Sequence, residues 1–173
     1  MEQLAGVVNR RRSPAGSGVN DSLTSDITLV IVRNRIFIPK LGSVVDTCFN
    51  ALFLDEHRGL RATVRGAEID VRLPWYRSLP VSVVEVVGLS LDGKSVPAED
   101  IRFEINGKSF ALAELSAQSH EVWFVLDSAV LRVPNAQIAA GTAHEVELQL
   151  NLYPPYVPHL TWVTKVRKTI RAQ

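Results

Sequence analysis

The sequence predicts an all-β protein, an antiparallel β-sandwich with about nine or ten short strands and at most one or two short helices. From Asp26 onward, apolar and polar residues alternate with a period of two, which is typical of half-buried strands. Two dipeptides that tolerate the positive φ of a tight hairpin turn, Asp92-Gly93 and Asn106-Gly107, separate such segments. Many short strands with frequent turns pack as two sheets, or close as a barrel, rather than build an α/β fold.

The strand signal is clearest in residues 144–152, where every second residue from Val146 to Leu152 is apolar and those between are polar. Residues 68–73 and 102–105 repeat this alternation. The one helical candidate is 111–117, which would turn Leu112 and Leu115 inward. Further strands are predicted at 27–33, 44–54, 60–65, 81–91, 109–112, 122–126, 130–133 and 161–170.

The chain of 173 residues has the length of one ordinary domain. Residues 1–25 are rich in Gly, Ser, Asn and Arg without a sustained period, so they are predicted to be a mobile N-terminal arm. This arm is either a disordered tail or a segment that orders on a partner. Residues 26–173 are predicted to form the β-sandwich domain.

Charge and composition argue against several classes of protein. Lys and Arg number 19 against 18 Asp and Glu, a formal net charge of +1, so no basic excess indicates nucleic-acid binding. No apolar run approaches the roughly 18–20 residues of a membrane span. The basic triplet at 10–12 is not followed by the apolar stretch of a signal peptide, so a cytoplasmic protein is expected. The single cysteine, Cys48, lies in an apolar run and is expected to be a buried, inert thiol.

The sequence contains no recognisable catalytic motif, neither a phosphate-binding glycine loop nor a nucleophile or zinc signature. Acidic residues at 55–56, 99–100, 145 and 147 are scattered and are interpreted as solubilising charge. His144 opens a strand and is expected to be a solvated edge residue. We therefore expect no catalytic residue and no metal site in this chain. None of the four histidines has the close spacing of metal ligands; they are His57, His120, His144 and His159.

Two segments, 73–80 and 153–159, combine aromatic residues with five of the nine prolines. Proline cannot donate a hydrogen bond to a sheet, so both are predicted to be irregular loops. Aromatic side chains on stiff loops are good binding anchors, although they could also cap the ends of the sandwich. The candidates for a partner interface or the lip of a substrate pocket are Trp75, Tyr76, Arg77, Tyr153, Tyr156 and Trp162.

Several segments, taken in order, carry a resemblance to a known family. They are VRLPWYRSLP (71–80), LDGK (91–94), PAEDIRFEINGK (97–108), LAEL (112–115) and WFVLD (123–127). With this order and spacing the chain resembles the small β-subunit of bacterial C-glycoside deglycosidases. The resemblance extends over 26–171 and is strongest at 71–127, whereas the N-terminal arm has no counterpart.

The resemblance implies a heteromer in which this chain is a non-catalytic subunit with no activity alone. The partner would be a TIM-barrel α-subunit, similar to sugar isomerases and epimerases, with a divalent metal that is expected to be manganese. The substrate would be a 3-oxo-C-glycoside of a flavonoid or similar phenol, cleaved between sugar C1 and the aromatic ring. Two alternatives are a stand-alone carbohydrate- or ligand-binding module, whose aromatic rings stack on sugars, and a stand-alone enzyme.

Overall fold

The computed structural model describes residues 30–32, 35–37, 53–55 and 57–173, the first two ranges by their backbone alone. The predicted arm, Cys48 and most of the predicted strand at 44–54 lie outside the described residues. Three short 3-10 helices accompany the strands, at Val81–Val83, Ala98–Asp100 and Leu112–Ala117. The strands are β1 (Val30–Val32), β2 (Arg35–Phe37), β3 (Leu60–Thr63), β4 (Gly66–Arg72), β5 (Leu79–Pro80), β6 (Val84–Leu91), β7 (Lys94–Val96), β8 (Arg102–Ile105), β9 (Lys108–Ala111), β10 (Val122–Trp123), β11 (Ser128–Pro134), β12 (Ala143–Leu152) and β13 (Trp162–Arg171).

The strands pair antiparallel in two main sheets, which confirms the predicted all-β sandwich. One sheet has five strands in the order β3-β4-β11-β8-β9, and the other has four in the order β13-β12-β6-β7. Two small pairs, β1–β2 and β5–β10, complete the described sheets. The strands outnumber the nine or ten expected because several are only two or three residues long, too short to display an alternation.

The core consists of the apolar residues that alternate along the long strands. In β12, the residues from Val146 to Leu152 that were predicted to face inward are fully buried. Ile69 of β4 and Leu131 of β11 are fully buried in the same cluster. Burying one such aliphatic side chain stabilises the fold by about 1.5–3 kcal/mol. The period-two pattern therefore identifies the inner face of the sandwich directly.

The outer faces of both sheets carry cross-strand ion pairs. Arg61 lies 2.5 Å from the Asp70 carboxylate on the five-stranded sheet. Lys165 lies 2.7 Å from the Glu147 carboxylate on the four-stranded sheet. Ion pairs near the protein surface contribute only about 0–1 kcal/mol each, so these pairs add little to stability.

Both predicted hairpin turns are confirmed. Asp92 and Gly93 have φ values of 51° and 76°, and Asn106 and Gly107 have 51° and 74°. Positive φ at both central positions is the geometry that joins two twisted antiparallel strands through two residues. The helical candidate also forms as a 3-10 helix at Leu112–Ala117, where Leu115 is buried.

Four local predictions are wrong. The strand predicted at 81–91 begins with a 3-10 helix at Val81–Val83, and the irregular loop predicted at 73–80 ends in the two-residue strand β5. The strand predicted at 122–126 ends at Trp123, because the backbone turns there and the Asp127 amide donates to the Phe124 carbonyl at 3.0 Å. His144 is not a solvated edge residue, since β12 lies between β13 and β6 and its side chain is only 12% exposed. Its two ring nitrogens bond Asp92 at 2.7 Å and Thr142 at 2.6 Å, and these partners replace water.

None of the helices among the described residues has both the length and the apolar character to cross a bilayer.

Candidate functional site

The two proline-containing loops that were predicted separately meet at one end of the sandwich. The first, 73–78, joins β4 to β5, and the second, 153–161, joins β12 to β13. They are brought together through the segment after β5, because the Tyr153 amide donates to the Val83 carbonyl at 2.9 Å. We call the six candidate residues at this end, Trp75, Tyr76, Arg77, Tyr153, Tyr156 and Trp162, the aromatic end.

Trp75 is the centre of the aromatic end. Its side chain is 8% exposed, and its indole Nε1 donates a hydrogen bond to the hydroxyl of Tyr156. Its ring lies 5.3 Å from Trp162 in an edge-to-face arrangement and 5.1 Å from Tyr76 in a tilted one. Such aromatic pairs contribute about 0.5–1.5 kcal/mol each beyond the area they bury. Both loops are therefore held by one buried ring.

Arg77 and Tyr156 form the outer layer of this contact. The Arg77 guanidinium carbon lies 4.8 Å from the centroid of the Tyr156 ring, which is a cation–π geometry. Loss of solvation raises the pKa of the Tyr156 hydroxyl; a hydrogen bond with Tyr76 acts in the same direction, and the bond from Trp75 opposes both. Tyr156 is therefore a neutral phenol at neutral pH, and one face of its ring is covered by a cation.

Tyr153 takes a different orientation. Its hydroxyl donates to the carboxylate of Glu85 on β6, which also accepts a hydrogen bond from Asn151 at 3.0 Å. Its side chain is 37% exposed. Tyr153 therefore ties the start of its loop to the outer face of the four-stranded sheet.

Exposure separates the inward side chains of the aromatic end from the outward ones. Trp75 is buried, whereas the neighbouring Tyr76 is 63% exposed. The backbone bends at residues 74–77, and the two rings remain 5.1 Å apart, so Tyr76 lies on the outer side of the buried indole. Tyr156 is 41% exposed. The arrangement offers two tyrosine rings on a preorganised base, which suits the binding of an apolar or aromatic surface.

A second group of exposed apolar residues, in the 124–127 turn, was missed by the reasoning from sequence. Phe124 is 54% exposed and Leu126 is 81% exposed, although both had been placed in a strand. The Val125 amide donates to Ser78 Oγ at 3.1 Å, so this turn adjoins the loop that carries Trp75. The available signal was a run of four residues, 123–126, in which polar residues do not alternate with apolar ones.

Within the part of the chain that the structure describes, no three His, Cys, Asp or Glu side chains lie close enough together to hold a metal ion. A metal site assembled from this chain would need ligands that its described residues do not bring together.

The chain matches the family model described as C-glycoside deglycosidase beta subunit over residues 56–156. It is 45% identical over 102 residues to the C-glycoside deglycosidase beta subunit of Microbacterium trichothecenolyticum, a match that covers 59% of this chain and 77% of that protein. It is 40% identical over 99 residues to the 3'-dehydrocarminate deglycosidase beta subunit of a Microbacterium species, covering 57% and 74%. A C-glycoside deglycosidase beta subunit of Arthrobacter globiformis is 38% identical over 104 residues, covering 60% and 77%. The segment matched by the family model includes every residue of the aromatic end except Trp162.

Proposed function

Because this chain belongs to the C-glycoside deglycosidase β-subunit family, we propose that it is the non-catalytic subunit of a carbon–carbon lyase. As a β-subunit, the chain works in a heteromeric deglycosidase together with another subunit. The proposed partner is a TIM-barrel α-subunit that carries the catalytic groups and a divalent metal, expected to be manganese. The proposed substrate is a 3-oxo-C-glycoside, which agrees with a relative named for a 3'-dehydro compound.

The proposed reaction needs the ketone at sugar C3. A bond from C1 to an aryl carbon has no leaving heteroatom to protonate, so acid catalysis of the ordinary glycosidase type has nothing to act on. The ketone acidifies the proton on C2, and a general base removes it. The C1–C2 double bond then forms as the bond to the aryl carbon breaks, and that carbon takes up a proton. The products are the free aglycone and an unsaturated keto-sugar.

The aromatic end is the surface that we assign to the α-subunit. The observation that carries this assignment is the exposure of Tyr76 and Tyr156 on a base held by the buried Trp75. A ring that is already fixed loses little conformational entropy on binding, and truncating a central anchor commonly costs 2 kcal/mol or more, which is about 30-fold in affinity. On a barrel partner, the natural target is the loop-bearing face that contains the active site.

This placement would bring one tyrosine close to the aglycone. Arg77 covers one face of the Tyr156 ring, whereas Tyr76 is 63% exposed. Tyr76 is therefore the better candidate to stack on a flat phenolic ring at the lip of the pocket.

The test is co-expression of this chain with its α-subunit and assay of the purified complex on a 3-oxo-C-glycoside. The variants Tyr76→Ala and Tyr156→Ala are made separately, and Val64→Ser, at a fully exposed position in the β3–β4 turn, is the matched control. Each tyrosine variant should keep its far-UV CD spectrum, and should either lose the complex on size exclusion or lose activity with the complex intact.

Two results would contradict the assignment. If both tyrosine variants assemble and turn over substrate like the parent, the loops are only corners of the sandwich. If both variants unfold, the rings belong to the core and the interface lies elsewhere. Failure of the parent chain to form any complex with the α-subunit would instead contradict the proposed function itself.

A further inference from the structure

The 124–127 turn exposes more large apolar surface than its position in a strand-rich domain requires. Leu126 is 81% exposed and Phe124 is 54% exposed, with one residue between them. Single exposed apolar residues are common on soluble proteins, whereas grouped ones mark binding surfaces. The exposure of both Phe124 and Leu126 in one four-residue turn therefore indicates a binding surface.

Three hydrogen bonds fix the backbone of the turn. The indole of Trp123, which is fully buried, donates to the Asp127 carbonyl at 3.0 Å, and the Asp127 amide donates to the Phe124 carbonyl at 3.0 Å. The Val125 amide donates to Ser78 Oγ at 3.1 Å. Phe124 and Leu126 are therefore presented on a fixed backbone, which lowers the entropy lost when a partner covers them.

The turn is connected to the loop that carries Trp75, Tyr76 and Arg77 of the aromatic end. Ser78, which binds the turn, directly follows Arg77, and Trp123 pairs with Leu79 in the β5–β10 ladder. The outer faces of both main sheets carry charged cross-strand pairs, and the apolar residues exposed on the four-stranded sheet are the smaller Val87 and Val163. Because the core of a protein interface is depleted of charged residues, this end is better suited to a large contact than either sheet face.

We propose that the 124–127 turn is a second anchor of the β-subunit on its α-subunit, with Phe124 and Leu126 inserted into an apolar recess of that partner. The α-subunit is the occupant because this chain belongs to a family of β-subunits, and a subunit of a heteromer must present a surface to its partner. The turn lies within residues 56–156, the segment that matches the family. This inference rests on the proposed function, since it extends the same docking surface.

The experiment measures the affinity of the purified chain for its α-subunit by titration calorimetry, with the variants Leu126→Ser, Phe124→Ser and the double substitution. We expect each single variant to weaken binding by at least about tenfold, and the double variant to weaken it further. The isolated variants should melt within a degree or two of the parent, because the affected side chains already face water. Val64→Ser is again the control and should leave the affinity unchanged.

The outcomes distinguish this inference from the proposed function. If the parent binds the α-subunit and the double variant binds it equally well, the second anchor is refuted and the proposed function stands. If the parent does not bind the α-subunit, both fail. If the isolated parent is a dimer by light scattering and the double variant is a monomer, the occupant is a second copy and the inference is wrong. Should Phe124→Ser unfold the chain, Leu126→Ser decides alone, because Leu126 is the more exposed of the two.

Discussion

The hydrogen bond from Trp75 to Tyr156 joins the two loops of the aromatic end, and its contribution to stability can be measured. Tyr156→Phe removes the hydroxyl that accepts this bond and keeps the ring beside Arg77. Because Trp75 is only 8% exposed, water cannot fully replace the lost acceptor. Leaving a buried donor unsatisfied costs about 1–3 kcal/mol, and we expect the lower part of that range because the edge of this site is exposed.

We therefore expect Tyr156→Phe to lower the free energy of unfolding by about 1 kcal/mol, and the melting temperature by about 2–4 °C for a chain of this length. The assay is a double-mutant cycle with Trp75→Phe, which removes the donor, followed by urea or thermal unfolding of all four proteins. In the Trp75→Phe background, Tyr156→Phe should cost much less than in the parent, which gives a coupling energy of about 1 kcal/mol.

The matched control is Tyr153→Phe, which removes a hydroxyl that donates to Glu85 at an exposed site. This variant should lower stability by less than about 0.5 kcal/mol, because water solvates the partner that it leaves. The reasoning is refuted if Tyr156→Phe costs the same with and without the Trp75 indole. In that case the hydroxyl acts elsewhere, and loss of binding by Tyr156→Ala could not be attributed to a ring positioned by Trp75.

Three further predictions concern the domain that supports the aromatic end. Gly66→Ala should prevent stable folding, because φ at Gly66 is +140° and a Cβ would lie 2.1 Å from a backbone oxygen of β11. The control, Gly107→Ala, has open space around the added Cβ and should lower the free energy of unfolding by only about 1 kcal/mol in urea. The hydrogen bond from His144 holds the pKa of Asp92 below its usual range, so the Asp92 carboxylate adds stability above about pH 4 that is lost as the pH falls through its folded pKa. In chemical denaturation curves, Asp92→Asn should therefore destabilise the chain at about pH 7 and progressively less below about pH 4. An equal loss of stability at every pH would contradict this linkage. Trp123→Ala empties a fully buried site and should cost about 3–5 kcal/mol by thermal unfolding, while a change below 1 kcal/mol would mean that the ring is not a core element.

Local features of this chain could be read from the sequence because their causes are local. The alternation from Val146 to Leu152 predicts the buried face of β12, since successive side chains of a strand point to opposite sides. Asn106-Gly107 forms a hairpin because both residues accept a positive φ. Prolines keep the loops 73–78 and 153–161 out of the main sheets by removing backbone donors, although Pro80 itself pairs with Val122 in the two-residue strand β5. Fold class, turns and candidate loops therefore all followed from neighbouring residues.

The tertiary structure decided everything that depends on residues far apart in the chain. Trp75 and Tyr156 are 81 positions apart, and their hydrogen bond arises because the ends of β4 and β12 meet at one end of the sandwich. No local pattern determines that meeting, because it depends on how the two sheets are packed. The same holds for the 124–127 turn. Its apolar run predicts a strand, but in the structure the Val125 amide donates to Ser78 of another loop and Leu126 is exposed to solvent. Periodicity thus determined which side chains are buried along each strand, and only the packing of the sheets determined which loops share a surface.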